Sequence, residues 1–358
     1  ALSYNRDQRA SLGEINRRES AMTDLADRGR ATTCLPEMRR AGVATCLATL
    51  MARTKPEVQP TGGHRRTDLD YATQEIAYAV AQGQLAYYRL LEQQGEAVLL
   101  RTSRQLDSHW KQWDQAMAGD GEPAEQRRCG LPIGMILAME GADPIVGPEQ
   151  VEAWWEDGLR SVMLAHYGTS HYAVGTGASG PLSTQGRELL GEFERVGMIL
   201  DITHLSEPSF FQAVDCFDGP LMASHSNCRA LVPGDRQLSD QQLRLLIERD
   251  AVIGAVADAW MLVPGWQRGV SKPNDLNVSA LVDHVDHVCQ LAGNARHAAI
   301  GSDLDGGYGT EQTPSDLRTI ADLRRLTAEL RRRGYSDEDV EAIAHGNWLR
   351  FFRQWLPD

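Results

Sequence analysis

Short apolar segments recur along the chain, and stretches with helical periodicity separate them. These segments are continuously apolar rather than alternating, which predicts strands buried on both faces, as in a parallel sheet. We count seven of them: Val43–Leu50, Pro132–Met139, Ser161–Ala165, Met198–Thr203, Pro220–Ser224, Ala251–Ala257 and Ala298–Ser302. Repeated alternation of strands and helices favours a doubly wound sheet or a (β/α)₈ barrel.

The helical stretches between the strands support the same architecture. Three serines predict N-terminal helix caps: Ser206 and Ser239 precede two of these stretches, and Ser336 stands three residues before Asp339. The predicted helices lie near Tyr71–Glu92, Glu149–Asp157, Arg187–Val196, Pro208–Val214, Asp240–Glu248 and Ala280–Leu291. Because α/β barrels often exceed 250 residues, we expect residues 1–358 to form a single domain.

Charge and cysteine usage exclude several classes of protein. The formal net charge is −13, and such a surface repels phosphate backbones, which argues against nucleic-acid binding. The six cysteines are widely spread and form no C-x-x-C pair, which argues against a disulfide framework or a cysteine zinc site. The longest mainly apolar run, Cys129–Met139, is shorter than a membrane helix requires. We therefore expect a cytoplasmic protein without membrane partners.

Acidic and histidine side chains follow five of the seven predicted strands. They are Glu140, His166, His204, His225 and Asp303. Taken singly, each is more often a hydrogen-bonded loop residue or a helix cap. Together they would converge on one rim, because the carboxyl ends of parallel strands meet there. Imidazole and carboxylate ligands suit zinc or a related divalent ion, so the pattern predicts a metal site.

Other candidate motifs are weaker. The segment Gly175–Gly180 matches G-x-G-x-x-G, but it follows polar residues and precedes Pro181 rather than opening a helix. His284 and His287 lie three residues apart on a predicted helix, which favours a solvated helix face over a ligand pair. The pair Trp154-Trp155 is interpreted as packing. The sequence contains neither the H-E-x-x-H motif of zinc proteases nor the G-x-S-x-G motif of serine hydrolases.

The strand-end motifs, taken in order, resemble those of the membrane (renal) dipeptidase family from about residue 35 to the end. They are Glu140-Gly-Ala, Leu164-Ala-His166, Asp201-Ile-Thr-His204-Leu-Ser, Ser224-His225-Ser-Asn, Gly301-Ser-Asp303-Leu-Asp-Gly and Gly346-Asn-Trp-Leu-Arg-Phe. The resemblance implies a (β/α)₈ barrel with two zinc ions per subunit. It also implies hydrolysis of dipeptides, often with a D-residue at the C-terminal position, and a homodimer.

The resemblance implies a role for each motif residue. Glu140 would bridge the two metals, His204 and His225 would complete the second, and Asp303 would contact the first and transfer protons. His166 would hydrogen-bond the substrate carbonyl or its tetrahedral oxyanion. Arg236, eleven residues after His225, would bind the substrate carboxylate, and its planar two-point contact would limit the substrate to one residue beyond the scissile bond.

One departure from the family affects the metal site. The first strand of the family ends in a His-x-Asp pair that supplies two ligands to the first metal, and no such pair precedes Val43. We therefore expect the first strand to be missing, either by truncation or in the natural protein. Only Glu140 and Asp303 would then hold the first metal, too few for a tight site. This predicts at most one well-held zinc and weak or no activity.

Two other functions remain open at this stage. A related barrel hydrolase could act on another amide or on a lactone, and a family member with an incomplete metal set could be catalytically impaired. The segment Ala257-Asp258-Ala259-Trp260 also replaces an expected aromatic-rich segment, which leaves the side-chain preference for the substrate open. A missing strand would leave two open sheet edges, and we expect the N-terminal segment, a neighbouring loop or a partner subunit to cover them.

Overall fold

The computed structural model describes residues 6–55, 69–118 and 123–358. Its strands are β1 Thr45–Leu50, β2 Arg53–Thr54, β3 Asp70–Tyr71, β4 Ala97–Leu99, β5 Ile133–Glu140, β6 Leu159–Met163, β7 Ile199–Asp201, β8 Leu221–Met222, β9 Ile253–Ala255 and β10 Ala298–Ile300. Its α-helices are α1 Leu12–Glu19, α2 Leu35–Ala41, α3 Gln74–Gln93, α4 Ser103–Ala118, α5 Ala124–Arg128, α6 Val151–Glu156, α7 Thr184–Val196, α8 Glu207–Cys216, α9 Asp240–Glu248, α10 Val278–Ala292, α11 Arg324–Arg332, α12 Asp337–Glu341 and α13 Asn347–Trp355.

The seven predicted strands are all present, and they lie side by side in chain order. β1 pairs with β5, and β5, β6, β7 and β8 follow one another, every pair parallel. A parallel bridge from Ala223 to Ile253 places β9 beside β8, and β10 pairs with β9. The expected α/β fold with a parallel sheet is confirmed, and the carboxyl ends of these strands share one rim.

The two outermost strands, β1 and β10, are not paired with each other within the described ranges. Side chains bind the backbone along both of these edges. On β1, the Tyr88 hydroxyl donates to the Thr49 carbonyl, and the Gln84 amide bonds both the N–H and the carbonyl of Met51. On β10, Asn347 donates to the Ala298 carbonyl and Trp348 donates to the Ile300 carbonyl. These contacts satisfy polar groups that a further strand would otherwise pair.

The C-terminal helix packs against the sheet. Phe351 and Phe352 of α13 join a cluster of buried side chains that also includes Ile199 of β7, Met222 of β8 and Ala299 of β10. Each aromatic side chain removes a large apolar area from water. This packing holds α13 against three of the strands whose carboxyl ends form the rim.

Local signals in the sequence position the helices that flank the sheet. Ser206 and Ser336 accept backbone N–H groups at the first turns of α8 and α12, and Ser239 forms a full capping box with Gln242 at α9. Each predicted serine cap is confirmed. The helix α4, which begins at Ser103, was not among the predicted helices. No helix among the described residues is both long and apolar enough to cross a membrane.

The N-terminal segment is tied to the loop that follows β10. The Arg6 guanidinium pairs with Glu19, Asp27 and Asp305, and all of these side chains are largely buried. Asp305 also accepts hydrogen bonds from the backbone and hydroxyl of Thr32. The segment from Arg6 to Thr32 thus holds the loop that carries Asp303.

Candidate metal centre

Four side chains from neighbouring strand ends meet at the carboxyl rim. Glu140 is the last residue of β5, and its Oε1 lies 3.6 Å from His166 Nε2, 3.4 Å from His204 Nε2 and 3.5 Å from His225 Nε2. One potential ligand atom from each of Glu140, His166 and His204 lies within 4.8 Å of the others. Three imidazole rings therefore converge on one carboxylate oxygen.

The backbone at the rim adopts a conformation that few residues other than glycine tolerate. His204 has φ 69°, Asp303 has φ 54° and Asp305 has φ 62°. For a residue with a Cβ this left-handed region is unfavourable, and such strain concentrates at functional sites, where the surrounding structure enforces it. Here it turns the side chains of two strand-end residues, His204 and Asp303, toward the rim.

The hydroxyl of Thr176 determines which nitrogen of His204 is available. Thr176 Oγ1 lies 3.2 Å from the His204 carbonyl oxygen, to which it donates, and 3.2 Å from His204 Nδ1. When the hydroxyl donates its proton to the carbonyl, it can accept a hydrogen bond from Nδ1–H. A neutral imidazole carries one N–H, so His204 Nε2 presents a lone pair to the site. Hydrogen bonds of this kind orient metal-binding histidines.

A similar contact supports His225. Its Nδ1 lies 2.8 Å from the Ser224 hydroxyl, which in turn lies 3.4 Å from the Thr203 hydroxyl. Ser224 can therefore accept from Nδ1–H while it donates to Thr203. The opposite nitrogen, Nε2, is buried and has no hydrogen-bond partner among the described residues. Leaving a buried polar atom unpaired is costly, which indicates that this atom has a ligand to bind.

His166 has a different neighbour from the other two histidines. Its Nδ1 lies 3.0 Å from Nη1 of Arg53, and Arg53 Nε donates to Asp70 Oδ1 at 2.6 Å. Burial, opposed by Glu140 and reinforced by Arg53 and Arg236, lowers the pKa of His166 to about 3. His166 is therefore neutral at physiological pH.

Asp303 lies in the same cavity as Glu140 and His166. The cavity measures about 800 Å³ and runs along β1 between the rim and the loop after β10. Burial raises the pKa of Asp303 to about 7, with His225 lowering it and Glu140 raising it. In the metal-free chain this carboxyl can thus exchange a proton near neutral pH, which suits general acid–base chemistry.

Arg236 lies behind the histidines rather than on an exposed loop. It is 4% exposed, and its guanidinium donates to the His225 carbonyl at 2.8 Å and to the Ser226 hydroxyl at 3.3 Å. By contrast, Arg229 pairs with Glu207 on the surface. A buried guanidinium beside the proposed metal ligands provides a fixed positive charge for an anionic group.

These side chains fit a divalent cation by their chemistry. Two imidazole nitrogens with assigned lone pairs and one carboxylate form a donor set that suits zinc. The unpartnered Nε2 of His225 points to the same conclusion, because it is the atom that would ligate. His166 is also close to this carboxylate, with its Nε2 3.6 Å from Glu140 Oε1.

Three contacts at the site were not predicted from the sequence. Arg53, Thr176 and Ser224 each bind Nδ1 of one site histidine. Thr176 belongs to the Gly175–Gly180 segment, whose helix α7 begins only at Thr184. Gly175 serves close packing, since a Cβ at this position would lie 1.9 Å from the His166 carbonyl oxygen.

The interpretation of the histidine pair on α10 was wrong in part. His284 is 2% exposed rather than solvated, and its Nδ1 accepts the Cys228 N–H at 3.0 Å. His287 does lie near the surface, where it pairs with Asp240. The helical pattern shows which residues share a face, but His284 lies beneath the loop after β8, which the pattern does not reveal. The packing interpretation holds for Trp154, which is 1% exposed.

Comparison with known proteins identifies the family of this chain. The membrane dipeptidase family (peptidase family M19) matches residues 83–355. The chain belongs to this family. The dipeptidase tcpJ of Claviceps purpurea is 33% identical over 204 residues, which cover 55% of this chain and 45% of the relative. The chain thus spans about half the length of that curated relative.

Two solved structures of metallopeptidases share the fold. The dipeptidase AC, a metallo peptidase of the same family, is 23% identical with a TM-score of 0.75, covering 97% of this chain and 96% of its own. A metallo peptidase from Rhodobacter sphaeroides, bound to a phosphinate mimic of the dipeptide L-Ala-D-Ala, is 22% identical with a TM-score of 0.74, covering 96% of each chain. At these identities the likeness shows the fold.

Proposed function

We propose that the chain is a zinc-dependent dipeptidase that hydrolyses the amide bond of dipeptides, including those with a C-terminal D-residue. The observation that supports this most is the convergence of three histidine Nε2 atoms within 3.6 Å of Glu140 Oε1. It lies at the carboxyl rim, where enzymes of this architecture hold their active sites. The dipeptide mimic bound by the Rhodobacter sphaeroides neighbour agrees with a small peptide substrate.

The metal site follows from the donor assignments. Glu140, His204 and His225 would hold one zinc ion, while Glu140 and Asp303 offer a second position with fewer ligands. We therefore propose at most one well-held zinc among these residues. When bound, zinc polarises a substrate carbonyl and lowers the pKa of a water molecule toward neutrality.

The remaining side chains would bind and orient the substrate. His166 directs a nitrogen into the cavity, where it would hydrogen-bond the carbonyl oxygen as negative charge develops. The carboxylate of Asp303 would take a proton from water and return it to the leaving amine. Arg236 would bind the substrate carboxylate. One parallel sheet holds all of these residues, which supports a single domain over residues 1–358.

The test combines metal content with hydrolysis. Zinc per chain is measured by mass spectrometry, and release of D-alanine from L-Ala-D-Ala is followed before and after chelation and again after zinc is restored. We expect weak activity that is lost with the metal and recovered with it. A zinc-loaded chain that cleaves no dipeptide refutes the proposal.

Arg236 provides a second test of the substrate class. A charge-assisted contact of this kind is worth about 1.5–3 kcal/mol, so L-Ala-D-Ala should be preferred over its C-terminal amide by at least about tenfold. In Arg236→Leu that preference should disappear. Equal loss of activity on both substrates would indicate that Arg236 supports the fold of the rim instead.

A further inference from the structure

Arg53 lies outside every motif that marks the site, yet it contacts a site histidine. It follows β1 in the short strand β2, and its side chain reaches the wall of the 800 Å³ cavity that also contains Glu140 and Asp303. Nη1 lies 3.0 Å from His166 Nδ1. The contact joins residues that are 113 positions apart in sequence, so no local pattern could have indicated it.

The position of Arg53 is fixed from two sides. Its Nε donates to Asp70 Oδ1 at 2.6 Å, and its backbone N–H donates to the Leu69 carbonyl at 2.7 Å, within the ribbon formed by β2 and β3. The Arg53 side chain is only 19% exposed. The guanidinium therefore meets His166 in one orientation rather than sampling many.

The chemistry of the guanidinium determines the tautomer of His166. A guanidinium carries five donors, has no acceptor, and does not lose its proton in proteins. A hydrogen bond between it and Nδ1 requires a lone pair on Nδ1. The single proton of the neutral ring must then reside on Nε2, the nitrogen that lies 3.6 Å from Glu140 Oε1.

The three rim histidines therefore divide into two kinds. His204 and His225 face hydroxyl groups that can accept from Nδ1–H, so each can offer an Nε2 lone pair to a metal. His166 faces a group that only donates, so its Nε2 carries a proton and cannot ligate. All three Nε2 atoms lie at similar distances from Glu140 Oε1, so distance alone does not distinguish them.

We infer that Arg53 is a positioning residue that holds His166 as an Nε2–H donor, and thereby keeps it out of the metal site and available to a substrate oxygen. This inference rests on the proposed function for its catalytic consequence. The tautomer assignment itself depends only on the contact between Arg53 and His166. The two parts can therefore fail separately.

The tautomer is measured on the full, zinc-loaded chain with ¹⁵N-labelled histidine. Long-range proton–nitrogen correlation spectra distinguish protonated from unprotonated ring nitrogens, and the spectrum of His166→Ala identifies the signals of His166. We expect an unprotonated Nδ1 and a protonated Nε2 in the unsubstituted chain and in Arg53→Lys. We expect loss of that single tautomer in Arg53→Met. A His166 ring protonated on Nδ1 in the unsubstituted chain overturns the inference.

Kinetics separate a positioning role from a structural one. Removing the partner that orients a site histidine typically costs about 10- to 100-fold in activity. Arg53→Met should therefore lower kcat for L-Ala-D-Ala by about that factor, with KM changed by less than about threefold. Zinc per chain should stay constant, and Arg53→Lys should recover most of the loss. In a chain that already carries His166→Ala, Arg53→Met should cause no additional loss.

Controls distinguish the possible failures. Asp70→Asn keeps the donor on Arg53 and removes only its ion pair, so it should preserve the tautomer. Loss of zinc together with activity in Arg53→Met would show that Arg53 supports the whole rim, and would overturn the inference. The unsubstituted chain could also show the expected tautomer but no dipeptidase activity. That result would refute the proposed function and the catalytic part of this inference. The assignment of the His166 tautomer to its contact with Arg53 would hold.

Discussion

The contact between Thr176 and His204 allows a quantitative test of the proposed metal site. Thr176→Val replaces the hydroxyl by a methyl group of nearly equal volume at a position that is 4% exposed. The substitution leaves His204 Nδ1–H without its acceptor at 3.2 Å. An unpaired buried donor costs about 1–3 kcal/mol. If the ring instead moves its proton to Nε2, that proton must be displaced before a metal can bind.

Zinc affinity is the quantity that this change should alter. A cost of about 1–3 kcal/mol corresponds to a dissociation constant about 5- to 150-fold higher, measured by competition with a chromophoric chelator. Thr313→Val is a matched control, because the Thr313 hydroxyl is buried without a hydrogen-bond partner in the described structure. The control should leave the affinity unchanged. An unchanged zinc affinity in Thr176→Val would refute the assignment of His204 as a ligand oriented by Thr176.

Two further predictions concern stability. Burial, reinforced by His287, lowers the pKa of His284 to about 4. Below pH 6.5 the unfolded chain therefore binds a proton that the folded chain excludes. The free energy of unfolding falls as the pH drops through this range. In His284→Asn the amide oxygen can still accept the Cys228 N–H. Between pH 7.5 and 4.5, the free energy of urea unfolding should fall by about 2.5 kcal/mol less in His284→Asn than in the unsubstituted chain. An unaltered pH dependence would contradict this. A Cβ on Gly301 would lie 1.9 Å from the Ser224 carbonyl oxygen, so Gly301→Ala should destabilise by about 3 kcal/mol or more. A Cβ on Gly13 in α1 would have no heavy atom within 4 Å, so Gly13→Ala should raise the free energy of unfolding by about 0.5–1 kcal/mol. Equal effects of Gly301→Ala and Gly13→Ala would contradict the packing argument.

The sequence was sufficient to predict the sheet and the residues at its rim because both depend on local patterns. Continuous apolar runs predict buried parallel strands, and a parallel sheet brings all its carboxyl ends together without further information. Glu140, His204 and His225 could therefore be assigned to one place from the sequence alone. The serine caps followed for the same reason, since Ser239 and Gln242 are only three residues apart.

Contacts between distant parts of the chain were not predictable. Arg53 meets His166 across 113 residues, and Thr176 meets His204 across 28. Neither residue type is unusual in its local sequence, so only the folded arrangement reveals its role. The burial of His284 was missed because the helical pattern does not show that the loop carrying Cys228 packs over it.

The side chains on the edges of β1 and β10 have a consequence for the behaviour of the protein at high concentration. A bare strand edge is a template on which another copy can add a strand, which leads to aggregation. Tyr88 and Gln84 on one edge, and Asn347 and Trp348 on the other, already occupy backbone groups that such a copy would need. Losing these four side chains would remove a barrier to self-association.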